Sequence, residues 1–263
     1  MPRKACVFCG TSDGKSSNEH VFPQWIRDAL GLDGLAEAEL HSTTGTVKRF
    51  QTRPFDQTVN VVCRACNSTW MSALEARARP ILTPLFRGEP LRLGPPRQQI
   101  LAAWTAKTAL MVAQMQPNAG LFAPADYRHL FEHGAPTAAT LVLLSSQRLT
   151  ADSRGVRLAQ ASGRSVTDQV VDPDRQPDDG TSPEHVGVVM FGIGQFVATV
   201  LTHTYSRDLN ITVVEPRPGL HRFDDHHLQV WPTTRPRLRW PPRDLTEVGG
   251  FTGMFKAWTD LTD

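Results

Sequence analysis

No apolar run in the chain is long enough to span a bilayer, so a membrane-crossing role is not expected. No apolar stretch precedes the first cysteine either. Met1-Pro2-Arg3-Lys4-Ala5 leads straight to Cys6, so no secretory leader is expected and the compartment is read as cytoplasmic. No internal repeat is visible. The excess of positive over negative charge is small: 28 Lys and Arg against 26 Asp and Glu give a net charge of +2. The balance is uneven, because residues 1–97 hold 13 of those bases and 9 of the acids, an excess of four positive charges. A mildly basic N-terminal half suits a polyanion, although many soluble domains carry as much. Cysteine is scarce as well. The chain has four, and in a reducing compartment paired cysteines usually hold a metal.

Those four form two Cys-x-x-Cys pairs, Cys6/Cys9 and Cys63/Cys66. Such a turn places two sulfurs on one side of the backbone, and two turns complete a tetrahedral zinc site. Redox chemistry and unrelated buried thiols are the alternatives, but a redox pair needs no second pair. With 53 residues between Cys9 and Cys63, something is folded between the knuckles.

The pattern along the chain predicts an α+β protein. Pro23 suits the first turn of a helix over residues 24–30, ended by Gly31. A hairpin is expected around Thr44-Gly45 and a strand over 58–62. Asn67 suits the N-cap of a helix over 68–79, which Pro80 ends. Gly88, Pro90, Gly94, Pro95 and Pro96 mark a joint, giving a zinc-bound domain at 1–90 and an α+β domain at 91–263. In the second, Ile100, Leu101, Trp104, Thr108, Met111, Val112 and Met115 define one face of an amphipathic helix over 98–116. A further helix spans 124–133, followed by strands of an antiparallel sheet at 140–144, 186–191, 195–202 and 228–231. Residues 171–183 read as a loop, 232–242 as an extended Pro/Arg-rich tail, and 249–262 as a last short helix.

The second knuckle runs at once into a helix, as in a treble clef. Cys-Val-Phe-Cys-Gly at 6–10, Glu-His-Val-Phe-Pro at 19–23 and Val-Cys-Arg-Ala-Cys-Asn at 62–67 together resemble the HNH endonuclease family. That resemblance covers about the first eighty residues and implies a ββα-metal fold. It implies His20 as the general base, Glu19 as a ligand or orienter of a catalytic Mg²⁺ or Mn²⁺, and Asn67 as that ion's second ligand. The partner implied is nucleic acid, DNA in the first instance. The Asn that the family places before the second knuckle falls at Thr58, with Asn60 on the same strand face. The chemistry is coherent, since a neutral His can take a proton from water and a hard cation can meet the developing phosphate charge. A zinc closed by four thiolates would only hold the scaffold. A zinc treble clef that binds nucleic acid or serves as a scaffold without turnover is the other class of function. Trp25, Trp70 and Leu74 read as core contacts. Arg64, Arg77 and Arg79 read as phosphate contacts or a solvated helix face, and Asp224-Asp225-His226-His227 as a solvated loop.

Overall fold

From the first cysteine turn the chain leaves through Gly10, whose φ of 72° lies in the left-handed region, and enters strand β1 (Ser16–His20). This computed structural model describes residues 5–12, 15–32, 36–41, 47–52, 55–116, 120–148, 156–164, 185–204 and 225–259. The backbone alone is described at 36–41, 47–52, 161–164, 185–186, 203–204 and 257–259. The loop expected at 171–183 lies outside the described residues.

β1 pairs antiparallel with β4 (Thr58–Cys63), Glu19 opposite Val59 and His20 opposite Thr58. Adjacent side chains of a strand leave by opposite faces. Ser17, Glu19 and Val59 are therefore turned inward, while Ser16, Asn18, His20, Thr58 and Asn60 lie on the outer face. After β1 a short helix α1 (Trp25–Leu30) ends at Gly31, left-handed at φ 61°, as the glycine predicts.

The hairpin expected around Thr44-Gly45 is present as β2 (Ala36–His41) and β3 (Val47–Thr52). It does not stay with β1 and β4. It extends a seven-stranded sheet whose other strands are β6 (Thr140–Ser146), β7 (Val156–Arg164), β8 (His185–Ile193), β9 (Phe196–Thr204) and β10 (His227–Trp231). Their order is β10-β6-β9-β8-β7-β2-β3, antiparallel throughout except for β2 beside β7.

β4 runs directly into one long helical stretch: α2 (Arg64–Cys66), a π-helical turn Asn67–Met71, and α3 (Ser72–Phe86). Two expectations are corrected here. The cap is Cys63, whose sulfur accepts from the Cys66 N–H, and Asn67 lies inside the helix. Nor does Pro80 end it, because α3 continues through Pro80 and Pro84. Each interior proline costs about 3 kcal/mol, which burial of Ala78, Ile81, Leu82, Leu85 and Phe86 offsets.

Past the helix, β5 (Leu91–Leu93) pairs with β11 (Leu238–Trp240), so the Pro/Arg-rich tail is folded back onto the expected joint. The Gln98 amide donates to the carbonyls of Leu93 and Arg235 and ties the two together. Helix α4 (Pro95–Ala113) is not amphipathic as expected, since every residue from Leu101 to Ala113 is buried. It packs against α3 and against β6, β8, β9 and β10. Trp104 sits between Phe86 and Phe191, at ring distances of 6.3 and 6.1 Å. Helix α5 (Pro124–His133) ends at Gly134, left-handed at φ 64°. The opposite face of the sheet is covered by α6 (Gly250–Thr259), whose Phe251 and Met254 cluster with Leu143, Val188 and Met190.

Among the described residues, no gap in the core falls near residue 90. Phe8, Phe22 and Ile26 share one buried cluster with Trp104, Phe191, Phe196 and Trp240. Phe22 sets its ring edge against Phe191 at 5.8 Å. A chain ending at Arg97 would expose Leu74, Leu82, Leu85 and Phe86 and leave β2 without β7. It is expected to lose cooperative melting by circular dichroism and to aggregate in gel filtration. A monomeric short chain with a sharp melt would show that the first ninety residues hold themselves.

Candidate metal centre and the residues around it

Cys6 and Cys9 on the first turn meet Cys63 and Cys66 at the end of β4 and the start of the helix, their four sulfurs all within 4.8 Å of one another. Cys9 and Cys63 are 3.7 Å apart, close to the edge of about 3.8 Å of a tetrahedron with metal–sulfur bonds of about 2.3 Å. None is in a disulfide. Backbone groups fix both turns: the Gly10 N–H reaches the Cys6 carbonyl, and the Cys66 N–H reaches the Cys63 sulfur. The four cysteines can thus hold a metal ion such as zinc. Burial pushes the Cys9 and Cys66 thiols up. At Cys6 burial also acts upward, but hydrogen bonds from the backbone of Cys63, Cys9 and Phe8 outweigh it and bring the thiol to about 7. Four thiolates packed together repel, and a divalent cation is what lets all four ionise.

The three residues implied as catalytic have three different sets of partners. His20 is part-exposed at the end of β1, its Nε2 3.0 Å from the Gln24 amide nitrogen. An amide nitrogen can only donate, so in this contact Nε2 is the acceptor. Asn60, on the same outer face, donates to Asn18 at 3.1 Å. Asn67 donates instead to the Ser17 hydroxyl at 2.8 Å, tying the π-helical turn to the inner face of β1. Glu19, also inward, is only 6 % exposed. Its carboxylate is 3.6 Å from the Nζ of Lys107, which donates at 2.8 Å to Glu75 of α3. Among the described residues no hydrogen bond or ion pair joins Glu19, His20 and Asn67 to one another.

Lys107 is the site residue that the structure adds. It lies in the middle of α4 with none of its surface exposed. A signal was available in the sequence, since Lys107 is the only charged residue between Arg97 and Asp126. A lone ammonium in so apolar a helix needs a buried counter-charge. Two carboxylates from separate elements supply it. Burial drives the Glu19 carboxyl above its ordinary value, and the attraction of Lys107 offsets only part of that.

A catalytic Mg²⁺ or Mn²⁺ does not fit the residues assigned to it. Such an ion needs hard oxygen ligands together with room for water and phosphate. The Glu19 carboxylate is nearly sealed from solvent and already faces an ammonium. A divalent cation at Glu19 would sit beside the Lys107 charge, inside protein.

The remaining side chains of interest fall into place as packing. Trp25 stacks on Phe86, with the Arg79 guanidinium 5.5 Å from the Trp25 ring centre, and Trp70 meets Phe8 edge-on at 4.9 Å. Leu74 is buried. Asp225 is exposed, as a loop residue would be, but His226 is buried with Nε2 3.6 Å from Glu247. Glu247 belongs to the 3₁₀ turn Leu245–Val248, whose approach to His226 the local sequence does not reveal. Among the described residues no helix is long and apolar enough to cross a membrane. The chain matches no protein-family model, no curated protein and no solved structure.

Proposed function

We propose that this protein acts on nucleic acid through a zinc-held, HNH-like treble-clef unit formed by the two knuckles, β1, β4 and the helix that follows. The observation that supports this most is the four-thiol cluster joined to a two-stranded ribbon, with an accessible His20 at the end of the first strand. In this reading His20 is the general base for phosphodiester hydrolysis, DNA being the first substrate to test. To take a proton at Nε2 it must release the Gln24 amide, so Gln24 sets when the base is free. Zinc holds the scaffold, and Asn67 fixes the helix against β1 through Ser17.

A second reading is favoured by a specific observation. Lys107 already neutralises Glu19, as suits a nucleic-acid-binding or scaffold protein that keeps the zinc unit without turnover.

One experiment separates the two: nicking of supercoiled plasmid by the full chain and by His20→Ala, with and without Mn²⁺. Hydrolysis by His20 predicts a loss of at least about 100-fold in the variant, the usual worth of a positioned base. Zinc content and melting temperature should stay unchanged, because His20 is not among the thiol ligands. Equal nicking by both proteins removes His20 from the chemistry. Absence of nicking by the unaltered chain, with retained binding to the plasmid, favours the second reading.

A further inference from the structure

We infer that the Lys107 ammonium, held between Glu19 and Glu75, takes the place of a divalent cation at Glu19, so that Glu19 binds no metal in this protein. The inference rests on the reading of the first unit as HNH-like but not on cleavage. Three independent elements carry it. Glu19 comes from the inner face of β1, Glu75 from α3 and Lys107 from α4. The ammonium lies 2.8 Å from one carboxylate and 3.6 Å from the other. It is fixed in that position, because α4 is packed on all sides and Lys107 has no exposed surface. One positive charge between two carboxylates does the electrostatic work of a cation, but it offers no open position to water or phosphate. It also links the inner face of the zinc unit to the central helix of the fold. The acidic residue of the Glu-His pair has become a packing counter-ion, while His20 on the other face stays accessible.

The test is binding of Mn²⁺ to the zinc-loaded full chain, read by the electron paramagnetic resonance signal of the free ion, with Glu19→Gln as comparison. The expected result is no uptake at millimolar Mn²⁺ by the unaltered protein, or uptake that Glu19→Gln leaves unchanged because the ion lies elsewhere. Uptake of one ion per chain that Glu19→Gln abolishes overturns the inference. A second arm tests the substitution of charge directly. Lys107→Ala leaves two carboxylates around an emptied volume, so added Mn²⁺ should raise its melting temperature by several degrees while leaving that of the unaltered protein where it was. A Lys107→Ala protein that folds and shows no such rise overturns the view that the ammonium occupies a cation's place. If Lys107→Ala does not fold, the Glu19→Gln comparison decides alone. A gel-shift titration with short duplex DNA runs beside these. Failure to bind there counts against the HNH-like reading and leaves the metal result standing on its own.

Discussion

Cys63→Ser is expected to release the metal and unfold the protein well beyond the two cysteine turns. Structural zinc contributes about 10–16 kcal/mol of apparent folding free energy in small zinc domains, as much as or more than the roughly 5–15 kcal/mol by which a whole domain is stable. Cys63 is placed to make that loss general. Its sulfur accepts from the Cys66 N–H and caps the helix, and it is the last residue of β4. The helix it starts continues to Phe86, in the cluster that also holds Trp104 and Phe196. Losing the metal therefore loosens β4, the helix start and part of the central core together. The measurements are elemental analysis, expected to give one zinc per chain in the unaltered protein and none in the variant, and a thermal melt by circular dichroism. A chain that purifies without zinc, or whose melt is unmoved by a strong chelator, would show that the four thiols pack without metal.

Lys107→Met is expected to weaken the fold without abolishing it, with a dependence on pH that identifies the cause. Methionine keeps most of the volume but removes the charge, leaving Glu19 buried without compensation. Removing one partner of a buried pair costs about 3–5 kcal/mol. Burial already raises Glu19 above its ordinary carboxylate value, and without the opposing pull of Lys107 the rise is larger. A group raised in the folded state contributes stability that is fully present below its unfolded value and is lost as pH climbs through the folded value. The variant should therefore lie closest to the unaltered protein at about pH 5 and fall furthest behind at about pH 8, in urea unfolding at both. Adding Glu19→Gln to Lys107→Met should flatten the difference. An equal loss at both pH values would trace the defect to packing of α4 alone.

What could be read from the sequence followed the strength of the local signals. Helix α5 begins at Pro124 and ends before Gly134 as read, since proline at the start and glycine just past the end each act within a single turn. The four cysteines come together as their spacing implies. Prolines inside a helix misled, because Pro80 argues locally for an end while the buried face from Ala78 to Phe86 is a tertiary fact. β7 went unread: Gln160, Ser162 and Gly163 weaken its alternation, and its place is set by β8 and β2 on either side. The helix of α4 is legible but its surroundings are not, since the partners of Lys107 and Gln98 include Glu19 and Arg235, at opposite ends of the chain. For the same reason the partner of Glu19 was hidden. Its acidity was visible beside His20, but the ammonium that holds it lies far along the chain at Lys107.

The hairpin of β2 and β3, inserted between the knuckles, has a consequence for the order in which the protein can be made. Cys66 has left the ribosome long before Val156, so all four thiols are present while β2 still lacks its neighbour in the sheet. Parallel pairing across so long a stretch closes slowly, and until then β2 has an unpaired edge open to other chains. Synthesis in a zinc-replete cell should therefore give a nascent chain that is stapled at its start and unfinished in the middle. In that interval it is most exposed to aggregation and most in need of a chaperone.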